Sequence, residues 1–186
     1  MKIKLLAVLL ASSMVSEVAF ADNHSVSIGY AQSKVQDFKD IRGVNLQYRY
    51  EFDSPLSALA SFSYMSGDDK QNYFLSGDSV DNRIDAKYYS LLVGPAYRIN
   101  EYVSLYVLGG IAHVKATGKT RWINVNDDYV NHESISEKST SFAYGFGVTF
   151  NPVDNLSINA GYEGTQANLD GNRSINGFNV GVGYRF

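Results

Sequence analysis

The sequence predicts an all-β fold: an eight-stranded antiparallel transmembrane β-barrel, with short turns at one end and long loops at the other. Three observations carry that expectation. Bulky apolar residues alternate with small or polar ones along most of eight stretches, the period-two mark of a strand with two unlike faces. The thin face is made of glycine, serine and alanine. These suit the cramped interior of a small barrel, whereas a solvated outer face would carry lysine, glutamate and threonine. The links between stretches also alternate short and long, the pattern of barrels that cross an outer membrane.

The stretches run in order. Val26, Ile28 and Tyr30 alternate with Ser25, Ser27 and Gly29, and Val44, Leu46, Tyr48 and Tyr50 with Gly43, Asn45, Gln47 and Arg49. Leu56, Ala58, Ala60, Phe62 and Tyr64 face away from Ser57, Ser61 and Ser63. Tyr89, Leu91, Val93 and Tyr97 oppose Tyr88, Ser90, Gly94 and Arg98. The fifth stretch, 103–116, is apolar on both faces, and Leu105, Val107 and Ile111 are assigned outward. The sixth is the sharpest, with Phe142, Tyr144, Phe146, Val148 and Phe150 against Ser141, Ala143, Gly145, Gly147 and Thr149. Leu156, Ile158, Ala160 and Tyr162 then oppose Ser157, Asn159, Gly161 and Glu163, and Phe178, Val180, Val182, Tyr184 and Phe186 oppose Asn179, Gly181, Gly183 and Arg185. Tight turns are expected at 53–55, 100–102 and 151–155, rich in Asp, Asn and Pro. Long loops are expected at about 35–41, 66–85, 117–137 and 166–173.

Composition narrows the class. A chain of 186 residues suits one domain, and 13% aromatics argue against disorder. Mean hydropathy of −0.19 excludes a bundle of membrane helices but not a barrel, whose strands carry apolar residues only at alternate positions. A net charge of −3 argues against nucleic-acid binding by bulk electrostatics, and the absence of cysteine removes disulfides, thiolate metal sites and thiol catalysis. Lys2 and Lys4, the apolar run 5–15 and Ala19-Phe20-Ala21 read as a secretory signal peptide over 1–21, leaving 22–186 as the barrel domain. The apolar run is too short for a spanning anchor and Glu17 interrupts its end. An even strand count leaves both termini in the periplasm, and Tyr184-Arg185-Phe186 fits the aromatic carboxy-terminus read by barrel-assembly machinery.

Several stretches carry a family likeness: SVSIGYAQS (25–33), GVNLQYRYE (43–51), VGPAYRINEYVSLY (93–106), AYGFGVTFNP (143–152) and INGFNVGVGYRF (175–186). With these segments the chain resembles the Ail/OmpX/PagC/Lom family of small enterobacterial outer-membrane proteins, nearest the PagC branch in KVQDFKDIRGVN and INGFNVGVGYRF. The resemblance implies an integral barrel in the bacterial outer membrane. It also implies, as in several members, virulence work: adhesion, invasion, complement resistance or survival inside host cells. The alternative is a structural envelope protein that orders lipopolysaccharide and has no host ligand.

Three groups of candidate residues follow. Strand parity carried to the outer ends puts Lys34, Arg42, Lys87, Lys115 and Lys138 on the outward face at one level, where lipopolysaccharide phosphates lie; simple hydration is the plainer reading. The long loops expose Tyr73 and Phe74 in one and Trp122 and Tyr129 in the other, aromatics among polar residues that suit a protein-binding patch, packing within the loops, or extension of the strands above the membrane. Inside, Arg49, Glu51, Arg98, Glu163 and Arg185 are expected to pair as a charge network that plugs the barrel, since unpaired burial costs several kcal/mol; a proton relay or ion path is the alternative. His132 beside Asp127, Asp128 and Glu133 is the one group that could activate water or hold a cation, and loop acids are usually just solvated. No catalytic residue, cofactor or metal is assigned. The expected partners are outer-membrane lipid, lipopolysaccharide, the assembly machinery, and host matrix, serum or cell-surface proteins.

Overall fold

The structure, a computed structural model, describes residues 23–36, 38–75, 78–123, 130–168 and 171–186. The side chains of 71–80 and 122–133 lie outside that description, as does the expected leader 1–21. The strands are β1 (His24–Val35), β2 (Asp40–Glu51), β3 (Leu56–Leu75), β4 (Asp78–Arg98), β5 (Val103–Ile123), β6 (Val130–Val153), β7 (Leu156–Asn168) and β8 (Asn172–Arg185). Each pairs antiparallel with the next, and β1 pairs with β8 in the register Ser25↔Arg185, so the sheet closes. The closure ends in a reciprocal pair. His24 N–H donates to the Phe186 carbonyl at 3.1 Å, and Phe186 N–H donates to that of His24 at 2.9 Å.

Facing follows the alternation. Leu91, Val107, Phe142 and Val182 are more than half exposed, whereas Ser90, Ala112, Ala143 and Asn179 are buried. An exterior this apolar is unfavourable in water, at roughly 25 cal/mol per Å², and favourable in hydrocarbon. The doubly apolar fifth stretch resolves as assigned: Leu105, Val107 and Ile111 point out while Tyr106, Leu108 and Ala112 fill the lumen.

The lumen has two zones. At the short-turn end it holds polar side chains, among them Ser25, Arg49, Glu51, Thr149 and Asn159. Toward the other end it is apolar, with Ile41, Met65, Tyr88, Val114 and Ile175 all buried. The expected small or polar inward face therefore describes only part of the interior. Tyr106 lies across the lumen, and its hydroxyl occupies the space a Cβ at Gly161 would take. Glycine there makes room for the ring.

The short turns lie where expected, at 52–55, 99–102 and 154–155. In the second, Asn100 Oδ1 accepts from the N–H groups of Tyr102 (2.9 Å) and Val103 (2.8 Å). In the two longest loops the strands extend above the membrane, one of the expected alternatives, so their loop boundaries are corrected. β3 and β4 remain paired from Leu56↔Tyr97 to Leu75↔Asp78, and β5 and β6 from Val103↔Phe150 to Ile123↔Val130. β4 and β5 also pair up to Ser79↔Ile123. Most of 66–85 and 117–137 is thus strand. β3 to β6 have 20, 21, 21 and 24 residues against 12 to 14 in β1, β2, β7 and β8. A tilted spanning strand needs about 9–11 residues, so a four-stranded sheet projects well beyond the apolar band.

Candidate functional site

The cationic candidates fall into register. Arg42 lies opposite Ser66, Ser66 opposite Lys87, Lys87 opposite Lys115, and Lys115 opposite Lys138. Four of the five therefore share one row running across β2 to β6, with neighbouring strands about 4.8 Å apart. Arg42, Lys87 and Lys138 are exposed and Lys115 is half-buried. Lys34 stands one outward-facing row further out, opposite Asp40. The shared row contains no acid.

The next outward-facing row is acidic and the one beyond it basic. Asp68 lies opposite Asp85, and Lys70, Arg83 and Lys119 align directly in register. Arg83 reaches back to both aspartates, with Nε 3.1 Å from Asp85 and Nη2 3.9 Å from Asp68. Lys87, Lys115, Lys119 and Arg83 line an outward depression of about 580 Å³, floored in part by Tyr64 and Ser66. Sequence reading missed this second basic row, because strand parity was carried only to the level of Lys87 and Lys115 and the residues beyond were read as loop. Lys39 ties the β1–β2 link to the projecting sheet through Asp69 at 2.7 Å, and that hydrogen bond and opposite charge hold its ammonium above the ordinary lysine pKa of 10.5.

The five inward charges do not join into one network. Glu51 is a hub at the short-turn end, bound by Arg98, by Arg185 Nη2 at 2.8 Å and by Arg49 Nε at 3.5 Å. Arg49 Nη2 also donates to Ser57 Oγ (2.9 Å) and Ser104 Oγ (3.1 Å). Glu163 is held elsewhere, accepting from the Tyr88 hydroxyl and from Ser63 Oγ at 3.0 Å. Among the described residues no lysine or arginine pairs with it. Tyr88 and Ser63 carry no charge, so a search for complementary charges passes over them.

The aromatic candidates are placed only by their backbones. Tyr73 pairs with Val80, Val80 with Trp122 and Trp122 with Asn131, so Tyr73 and Trp122 share one row, while Phe74 pairs with Ser79. Tyr129, Asp127 and Asp128 lie outside the described residues, as do the side chains of His132 and Glu133. Of the other histidines, His24 Nδ1 bonds the Tyr48 hydroxyl at 2.7 Å and His113 Nδ1 bonds Thr140 Oγ1 at 2.8 Å.

Comparison with known proteins places this geometry. Residues 2–186 match the family model described as enterobacterial Ail/Lom protein. The virulence membrane protein PagC of Salmonella typhimurium is 48% identical over 181 residues, covering 96% of this chain and 95% of the relative. The attachment invasion locus protein of Yersinia enterocolitica is 41% identical over 191 residues, covering 96% and 98%. The crystal structure of Ail of Yersinia pestis in complex with the heparin analogue sucrose octasulfate is 38% identical, with a TM-score of 0.66 over 89% of this chain and all of that one. The chain belongs to the enterobacterial Ail/Lom family and is an integral β-barrel of the bacterial outer membrane.

Proposed function

We propose that this barrel is a display scaffold whose projecting β3–β6 sheet engages host molecules, in line with the attachment, invasion and virulence named for its relatives. The observation that carries this reading is the paired extension of β3–β6 far beyond the apolar band. Hairpin closure needs only a few residues, whereas an ordered sheet offers a platform that loses little freedom when a partner binds. Replacing 66–85 and 117–137 by short turns tests it. Attachment to host cells and survival in serum should fall while the barrel still assembles, as judged by heat-modifiable migration on gels. Unchanged attachment would overturn the reading.

A second role is favoured by the row Arg42–Ser66–Lys87–Lys115–Lys138. Like charges directly opposite one another are unfavourable, and an anionic ligand turns that cost into a binding surface. The row, with Lys34, grips lipopolysaccharide phosphates, each contact contributing about 1 kcal/mol. A relative that holds a sulfated heparin analogue supports polyanion chemistry at this kind of barrel. Neutralising all five residues should lower the lipopolysaccharide retained on purification, and unchanged retention would end the idea.

A further inference from the structure

Two large apolar side chains break the pattern of the rest. Among the described residues, every other large hydrophobe with substantial exposure lies on the outward parity or at the short-turn rim. Ile84 and Ile135 are 41% and 62% exposed on the inward parity of the projecting sheet, beyond the apolar band, where the solvent is water. They lie in one row, Ile84↔Gly118↔Ile135. A Cβ added at Gly118 would meet only the Ile135 carbonyl, at 4.0 Å, so no close packing requires glycine there and the position leaves a slot between the two isoleucines.

The slot is one side of a cavity of about 340 Å³ whose other wall is Val35, Phe38 and Ile41. Ligand sites of this size are mostly apolar with a few placed polar groups. The cavity continues past Ile84 and Gly118 into a second of about 210 Å³, where Asp69, Asn82 and Thr120 make the wall polar. Charged residues line both parts, Lys87, Arg173 and Glu137 at the foot and Arg83, Lys119 and Asp69 at the shoulder, four cations against two acids, so the groove favours an occupant that is acidic around its apolar anchor. An apolar foot continuous with a hydrogen-bonding shoulder matches a peptide: one bulky side chain below, its flanking backbone above.

Resting on the display reading, we propose that this groove receives an apolar anchor residue (a leucine, methionine or aromatic) from an exposed segment of a host protein. The anchor completes the burial of Ile84 and Ile135, and acidic residues flanking it meet the net positive rim as the polar edge surrounds the centre of a protein interface.

The test uses the full barrel in phospholipid nanodiscs, selected against a displayed random-peptide library with empty nanodiscs subtracted. Enriched peptides should share one bulky apolar residue. Their binding, read by fluorescence anisotropy, should fall about tenfold or more on Gly118→Phe, which fills the slot, and on Ile135→Ser, which removes one wall. Ser136→Ala, on the exposed outward face next to Ile135, should leave it within about twofold. Failure to enrich any peptide, displacement by lysophosphatidylcholine without peptide binding, or indifference to both groove variants would overturn the proposal. If Gly118→Phe leaves host-cell attachment intact while hairpin replacement abolishes it, the groove is refuted and the display reading stands. If neither affects attachment, both fall.

Discussion

Lys87 on β4 and Lys115 on β5 stand directly opposite one another, like charges in register with no acid in their row. Lys87→Gln with Lys115→Gln should therefore act with opposite sign in two media. In detergent free of lipopolysaccharide the double variant should be more stable by roughly a few tenths of a kcal/mol, because a repulsive cross-strand pair is gone. With lipopolysaccharide added, the wild type should gain the larger stabilisation, since only a ligand that binds the folded barrel raises its midpoint. Thermal unfolding in both media checks the reversal.

Glu51 and Glu163 should respond differently to the same change. Glu51→Gln removes the carboxylate that Arg49, Arg98 and Arg185 share, which should cost about 3–5 kcal/mol. Glu163→Gln keeps an acceptor for Tyr88 and a donor for Ser63, and removes a charge that has no basic partner among the described residues. Its cost should stay within about 1 kcal/mol. Urea unfolding in lipid vesicles measures both.

Gly161→Ala should be destabilising by about 1–3 kcal/mol, because its methyl group meets the Tyr106 hydroxyl. That hydroxyl is buried beside the Gln47 side chain and makes no well-aligned hydrogen bond. Tyr106→Phe should therefore be close to neutral alone and should recover most of the loss in the double variant. A double-mutant cycle gives the coupling.

Lys39 and Asp69 form a tether whose pH dependence has a definite sign. The folded state raises the lysine pKa, so the contribution is fully present below 10.5 and disappears as pH rises through the higher folded value. Asp69→Asn should return the lysine to its ordinary titration. Carbon chemical shifts of the Lys39 ε-methylene, followed from neutral to alkaline pH, measure both states.

Much of this molecule is legible in its sequence wherever two solvents meet across one strand. Phe142 and Ala143, or Val182 and Gly183, differ because one touches hydrocarbon and the next the lumen, and alternation records it. Beyond the band both faces of the sheet meet water, so 68–75 and 117–123 lose their period and read as loop although they pair as strand. Parity was enough to align Arg42, Lys87, Lys115 and Lys138, because a row is only strand order plus alternation. It could not separate Glu163 from the Glu51 hub, since depth along the lumen depends on stagger between strands. Gly118 carries no side chain to signal that the space beside it is open.

The reciprocal bonds between His24 and Phe186 join the start of β1 to the end of β8. Until β8 is in place, β1 and the strand at the other open edge each present unsatisfied amides that a bilayer core does not tolerate. Entry into the membrane is thereby tied to the arrival of β8: a chain arrested before it cannot zip shut and stays dependent on whatever shields its raw flank.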